Sequence, residues 1–244
     1  MTTTRPERDL PADELRGGGE AGAASRRRGR PADGGGGPVS TVSDLVRFRD
    51  RMTEDEVAVD MDAAEAAAAD LLQALGLPPD SEEMIETPRR MAQAYAEMVT
   101  AVPFELTTFP NRKGYDELVV VEDIPVRCLC EHHMLPFVGV AHIGYLPADR
   151  ILGLSKFARL VEFVGRRPQT QERLTQEIAE QLEQRLQPRG VGVVLDTEHT
   201  CMTLRGAQAR GSRTLTSAML GELRSNVATR AEFLALTRGL RVSR

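Results

Sequence analysis

Soft metal ligands cluster in one short segment of the chain. Cys130 and His133 are three residues apart, so a turn can present both side chains to one metal ion. Cys201 is the candidate third ligand, because it starts a strand of the same predicted sheet. Two thiolates and one imidazole form a donor set that suits zinc. The spacing therefore predicts a zinc site.

The number of ligands bears on what this metal does. Structural zinc sites usually hold four protein ligands, whereas a catalytic zinc keeps one position for water. Three ligands favour catalysis. Two alternatives stay open: a closed site with a fourth ligand from Cys128, His132 or His199, and a set of residues that binds no metal.

The other soft side chains also lie between positions 128 and 201. We predict that Cys128 is a buried apolar side chain and that His142, on an alternating strand, is structural. His132 neighbours a ligand and must point elsewhere, which makes it a candidate acid or base. His199 lies two residues before the third cysteine on the same predicted strand face, so a second imidazole is expected near the metal.

Basic side chains form a second constellation. Ser155 can cap a helix whose exposed N–H groups favour an anion, and Lys156 and Arg159 lie on one face of that helix. Arg205 is predicted to project from the strand face of the third cysteine, and Arg90 lies in the first turn of an earlier helix. A solvated basic stripe on an amphipathic helix explains the same pattern equally well.

The elements that position these residues follow from periodicity and from the hydroxyl N-caps Thr87, Ser155 and Thr170. The core order β-β-α-α-β-β predicts an α+β fold, with an antiparallel four-stranded sheet, two helices on one face and a helical N-terminal lead-in. Because the sheet edges are apolar, we expect a ring of subunits to cover them. Predicted helices span 60–75, 87–99, 155–165, 170–186 and 230–237; predicted strands span 118–121 with 124–126, 135–146, 191–195 and 201–204.

Length and composition bound the class of protein. The 244 residues are 41% hydrophobic with a net charge of −5, which indicates a globular chain and argues against nucleic acid as a partner. No apolar run reaches the ~18 residues of a membrane helix, and no signal peptide is present, so we expect a cytoplasmic protein. We predict a disordered Gly/Arg-rich tail and linker over 1–55, a helical region over 56–110 and a catalytic domain over 111–244.

Taken together, these residues resemble the GTP cyclohydrolase I family. Several ordered motifs at compatible spacing make the resemblance specific, and it covers roughly residues 60–240. The motifs are Glu86-Thr87-Pro88-Arg89-Arg90, Cys130-Glu131-His132-His133, Gly153-Leu154-Ser155-Lys156, the run from Arg167 to Thr175, His199-Thr200-Cys201 and Arg205-Gly206.

The resemblance implies the tunnelling fold, a homodecamer with active sites between subunits, and zinc bound by Cys130, His133 and Cys201. The implied reaction converts GTP and water into 7,8-dihydroneopterin triphosphate and formate, the first step of tetrahydrofolate and pterin biosynthesis. Two alternatives remain: a regulatory protein of the same fold with closed structural zinc, and a nitrile-reductase relative that uses a catalytic cysteine and NADPH without zinc.

A role for each remaining site residue is also implied by the resemblance. His132 protonates N7 as C8 of the purine is attacked, and His199 and Ser155 assist ring opening and the rearrangement of the ribose. Glu172 accepts hydrogen bonds from guanine, and Gln171 beside it is also assigned to substrate binding. The triphosphate is bound by Lys156, Arg159, Arg205 and Arg90, the last from a neighbouring subunit.

Overall fold

Four antiparallel strands form the central sheet of the computed structural model, which describes residues 58–238. The strands are β2 (Val119–Leu129), β3 (Pro136–Leu146), β5 (Gly190–His199) and β6 (Thr214–Gly221), and they pair in that order. Two shorter strands, β1 (Thr108–Pro110) and β4 (Arg150–Leu152), form a separate two-stranded sheet. The predicted disordered tail lies outside the described residues.

The long strand β2 is interrupted by a register shift between Val121 and Ile124. Asp123 adopts a positive φ of 53° at this point, which bends the strand without ending it. The interruption explains why the sequence pattern shows two β-rich patches where the structure has one strand. Beyond it, β2 continues to Leu129. The next residues, 130–134, form a tight turn that carries Cys130 and His133 and is called the ligand turn below.

Two helices cover one face of the sheet: α3 (Ser155–Gly165) and α4 (Gln171–Leu186). Leu174, Ile178 and Leu182 recur every four residues on α4 and are fully buried, because this spacing aligns them on one side of a helix. Thr170 caps α4 by accepting a hydrogen bond from the backbone N–H of Arg173 at 3.3 Å, as its hydroxyl predicts.

The C-terminal helix α7 (Val227–Arg238), which follows the short α6 (Glu222–Ser225), packs against a glycine pair of the sheet. Gly144 and Gly192 face each other across β3 and β5. A Cβ atom at either position would come within 2.7 Å of the buried ring of Phe233. These two glycines therefore allow α7 to approach the backbone of the sheet closely.

The N-terminal lead-in consists of α1 (Met61–Ala74) and α2 (Thr87–Val99), which pack against each other. Between residues 58 and 238, no helix combines the length and apolar character that crossing a membrane requires. The prediction of a mixed fold with helices and an antiparallel sheet is confirmed.

Three local predictions are wrong. Residues 201–204 do not form a strand: Thr200–Thr203 form the short helix α5, and the fourth strand is β6. Three of the first four residues of β6 carry hydroxyls, Thr214, Thr216 and Ser217, so its apolar run is limited to Ala218-Met219-Leu220. Thr87 and Ser155 are not N-caps but first helical residues, since Glu86 and Leu154 hold the cap positions without a side-chain bond.

Candidate metal centre and active site

A tight turn between β2 and β3 carries the first two ligands. The backbone N–H of Met134 donates to the carbonyl of Cys130 at 2.8 Å, and Met134 adopts a φ of 53°, which reverses the chain. The turn places the Cys130 sulfur 3.9 Å from Nδ1 of His133. Two ligands of a tetrahedral zinc lie about 3.6 Å apart, given bonds of about 2.3 Å to sulfur and 2.0 Å to nitrogen.

The third ligand, Cys201, follows the neighbouring strand β5. Because β5 runs antiparallel to β3, its C-terminal end meets the start of β3 beside the ligand turn. The hydroxyl of Thr200 donates to the carbonyl of Pro136 at 2.5 Å and so fixes α5 at this point. The ligand atoms of Cys130, His133 and Cys201 all lie within 4.8 Å of one another.

The electrostatics of this group also fit a cation. Burial and the adjacent Cys130 thiol raise the pKa of Cys201, and the positive charge of Arg205 partly opposes that rise. Two neighbouring thiolates repel each other without a cation, so a bound divalent metal stabilises the deprotonated pair. The residues present therefore suit a Cys₂His metal centre.

Cys128 differs from the two other cysteines. It is buried at the end of β2, and its thiol donates to the carbonyl of Arg167 at 3.2 Å. Burial raises the pKa of this thiol to about 12. It does not join the metal group formed within the described part of the chain. Cys128 is thus a buried, protonated side chain, as predicted.

His132 lies at the rim of the centre. Its Nδ1 is 3.8 Å from the Cys130 sulfur, as close as that of His133, and 65% of its side chain is exposed. The distance to Cys130 therefore does not show which of the two histidines is the metal ligand. Proximity to both Cys130 and Cys201 shows it, because among residues 58–238 the group that could hold a metal contains His133 and not His132.

His199 ends β5 and is half-buried. Its ring stacks on that of Phe137, its cross-strand partner, with 4.7 Å between the ring centres and 7° between the planes. Burial lowers the pKa of His199, and the nearby carboxylate of Glu172 partly opposes this shift. The lowered pKa favours the neutral imidazole.

The two residues at the start of α4 have opposite environments. Glu172 is exposed and close enough to His199 to influence its pKa. Gln171 is buried, and its amide bonds to the backbone of Leu195 and Thr214 and to the hydroxyl of Thr197. The structure therefore does not support the prediction that the Gln171 side chain binds substrate, because protein groups occupy both of its polar atoms.

The candidate anion-binding residues lie on three separate elements. Ser155 and Lys156 start α3, and Arg159 is exposed one turn later. Arg205 follows α5 and is near enough to Cys201 to lower the pKa of its thiol. The expectation that Arg205 shares a strand face with Cys201 is wrong, because Cys201 lies in the short helix α5. Arg90 is exposed in the first turn of α2, within the helical lead-in.

A second set of contacts around the ligand turn escaped the sequence analysis. Arg173 on α4 forms an ion pair with Glu131, which lies between the ligands Cys130 and His133. Arg173 also donates to the side chain of Gln169 at 3.4 Å. The N–H of Glu131 donates to the carbonyl of Gln169 at 3.2 Å. Residues 131 and 173 are far apart in sequence. The one sequence signal for this ion pair was that the two motifs contain side chains of opposite charge.

Comparison with known proteins decides the family. The profile of GTP cyclohydrolase I matches residues 64–238, a span that includes every candidate residue described above. The chain belongs to the GTP cyclohydrolase I family. GTP cyclohydrolase 1 of Streptomyces griseus is 52% identical over 184 residues, which cover 73% of this chain and 91% of that protein.

Other members of the GTP cyclohydrolase I family are similarly related. The enzyme of Rhodopirellula baltica is 48% identical, over 73% of this chain and 79% of that protein, and the enzyme of Aquifex aeolicus is 45% identical over 75% and 100%. Among solved structures, an archaeosine synthase QueF-Like aligns with 43% of this chain at a TM-score of 0.35 and 18% identity, too low to support an inference.

Proposed function

We propose that the protein is a zinc-dependent enzyme that converts GTP and water into 7,8-dihydroneopterin triphosphate and formate. The observation that carries the proposal is the group of Cys130, His133 and Cys201, which meet where the start of β3 lies beside the end of β5, in a chain of the GTP cyclohydrolase I family. We further propose the tunnelling fold, a homodecamer, a cytoplasmic location and a role in tetrahydrofolate or pterin biosynthesis.

Three protein ligands leave one coordination position for a reactant. A zinc ion held by Cys130, His133 and Cys201 supplies Lewis acidity, which makes water a nucleophile near neutral pH. Attack at C8 of the purine makes that carbon tetrahedral, so N7 must gain a proton. His132 is the proposed donor, because it is exposed at the rim of the metal group and is not one of its members.

Glu172 is the proposed recognition group for guanine. Its carboxylate is exposed at the start of α4 and next to His199. A carboxylate accepts the two parallel hydrogen bonds that N1–H and the 2-amino group of guanine donate, whereas adenine has neither group. This placement brings the guanine base to the same side of α4 as the imidazole of His199. We assign His199 and Ser155 to the opening of the purine ring and the rearrangement of the ribose.

The triphosphate needs several positive charges on a protein with a net charge of −5. Lys156 and Arg159 provide two of them in the first two turns of α3. Arg205 provides a third near Cys201. We propose that Arg90 of a neighbouring subunit completes the set, because its own α2 belongs to the separate helical lead-in.

A GTP assay with metal analysis tests the proposal. Purified, zinc-loaded protein is incubated with GTP, formate is measured enzymatically, and the pterin is detected by fluorescence after oxidation. We expect both products in equal amounts, and neither from the Cys201→Ser variant. Absence of both products from zinc-loaded wild-type protein contradicts the proposal. Consumption of NADPH with a deazaguanine nitrile instead would assign the chain to a different reaction.

A further inference from the structure

A buried chain of hydrogen bonds leads from α4 towards His199, and its first link is the amide of Gln171. The amide nitrogen lies 3.4 Å from the carbonyl oxygen of Leu195, 3.0 Å from that of Thr214 and 3.1 Å from the hydroxyl of Thr216. Carbonyl oxygens only accept hydrogen bonds, so the –NH₂ group must face them. The amide oxygen of Gln171 is therefore on the opposite side, where it can only accept.

The second link is the hydroxyl of Thr197, which is fully buried on β5. Its oxygen lies 2.7 Å from the Gln171 amide oxygen, a short contact that requires Thr197 to donate. A hydroxyl has one proton, so this bond uses the only one that Thr197 has. Towards any further neighbour, the Thr197 oxygen can act only as an acceptor.

The third link is His199 itself. Its Nδ1 lies 3.5 Å from the Thr197 oxygen. Because Thr197 can only accept, this contact is favourable only if Nδ1 carries a proton. The stacked ring of Phe137, which is itself fully buried, holds the imidazole plane and limits rotation away from Thr197.

We infer that Gln171 and Thr197 are positioning residues that select the Nδ1–H tautomer of the His199 imidazole. Nε2, on the other side of the ring, then carries the lone pair. This assigns a specific purpose to a glutamine that the sequence pattern placed among the substrate-binding residues. The hydrogen bonds are linked in one series: the backbone carbonyls of β5 and β6 fix the orientation of the Gln171 amide, the amide fixes the hydroxyl of Thr197, and the hydroxyl fixes the imidazole.

The catalytic consequence rests on the proposed function. A neutral His199 of this tautomer can accept a proton from the substrate at Nε2 and return it later, while Nδ1–H stays bonded to Thr197 throughout. His132 and His199 then differ in their first step, since His132 donates a proton and His199 accepts one.

Nitrogen NMR of the full-length, zinc-loaded protein tests the tautomer directly. The chain has four histidines, so ¹⁵N-histidine labelling gives a simple two-bond ¹⁵N–¹H spectrum, and the His199→Gln variant identifies the signals of His199. We expect a protonated Nδ1 and an unprotonated Nε2 in the wild type. The opposite tautomer in the wild type overturns the inference, whether or not the protein turns over GTP.

A matched pair of variants separates positioning from folding. Thr197→Val keeps the shape of the side chain but removes the acceptor, so we expect His199 to shift towards the Nε2–H tautomer. Thr197→Ser keeps the hydroxyl and should retain the wild-type spectrum. In kinetics, we expect Thr197→Val to lower kcat by about tenfold or more with little change in KM, and Thr197→Ser to restore it.

The outcomes of these variants are distinguishable. An unchanged tautomer in folded, zinc-containing Thr197→Val overturns the inference. If Thr197→Val does not fold, the wild-type and Thr197→Ser spectra still decide the tautomer. A wild type with the expected spectrum and no GTP turnover contradicts the proposed function but leaves the hydrogen-bond assignment intact.

Discussion

The two imidazoles proposed for proton transfer lie in opposite surroundings. His132 is on an exposed turn, where 65% of its side chain is accessible and the carboxylate of Glu131 lies 3.9 Å away. His199 ends a central strand, stacks on buried Phe137 and contacts the hydroxyl of Thr197. The first imidazole can reorient as substrate arrives, whereas the second is fixed by the fold before binding. The difference indicates that a single site combines an adaptable group with a preorganised one.

Loss of the metal is expected to remove the function of both histidines at once. Cys201→Ser replaces a thiolate ligand of the three, so we expect the purified variant to lose its zinc and all measurable turnover. Cys128→Ser is the matched control, since Cys128 is outside the metal group and should retain zinc. Metal analysis checks both, and full zinc content in Cys201→Ser would remove Cys201 from the ligand set.

Truncation of the exposed imidazole should affect chemistry alone. We expect His132→Ala to keep zinc, fold and GTP binding, and to lose about 10²- to 10⁴-fold in kcat, the range of a general acid. The reason is that His132 is not in the metal group and buries little surface. Single-turnover kinetics with GTP and equilibrium binding measure the two quantities. Near-normal kcat would assign the proton transfer to another group.

Weakening the support of the ligand turn should have an intermediate effect. Arg173→Gln removes the ion pair with Glu131 that ties the turn to α4, and we expect about 10- to 100-fold weaker zinc affinity. Arg189→Gln breaks a comparable exposed pair with Glu222, remote from the turn, and serves as the control. Competition with a zinc chelator measures both. Equal affinities in the two variants would show that the turn holds its geometry without Arg173.

We expect a smaller difference between the two histidines in their contribution to the free energy of unfolding than in their contribution to activity. His199→Ala removes the stacking on Phe137, so we expect it to destabilise the fold by about 1 kcal/mol, whereas His132→Ala should leave stability almost unchanged. Urea unfolding of the two zinc-loaded variants provides the comparison. Equal unfolding midpoints would mean that the stack on Phe137 contributes no stability, and the contrast between the two regions would fail.

The smallest expected effect concerns the thiols. With a pKa of about 12, Cys128 has roughly one thiolate in 10⁴ molecules at pH 8. We therefore expect iodoacetamide to modify Cys130 and Cys201 of chelator-treated protein well before Cys128, as measured by peptide mass spectrometry. Early modification of Cys128 would show that its strand end opens readily.

The sequence predicted the ligand set but not the way in which the chain assembles it. Cys130 and His133 are close in sequence, so their pairing required only a turn. Cys201 was assigned through a strand that does not exist; it reaches the centre because α5 follows a strand that pairs with β3. The residue types of the ligands were therefore a better guide to the metal group than the predicted secondary structure.

Contacts that depend on strand register were beyond the reach of local patterns. Phe137 and His199 stack because the β3–β5 register places them opposite each other, 62 positions apart in the chain. Gln171 was placed among substrate-binding residues because it stands beside Glu172 in a motif. Only the paired backbone of β5 and β6 reveals that its amide is already saturated. Long-range pairing, rather than residue type, determines both roles.

X-ray absorption at the zinc edge of the full-length protein tests the central claim most directly. The account predicts two sulfur ligands, one imidazole and one oxygen ligand from solvent, in agreement with the group of Cys130, His133 and Cys201. A third sulfur or a second imidazole in the spectrum of the resting protein would indicate a closed, structural site, and would contradict the proposed catalysis.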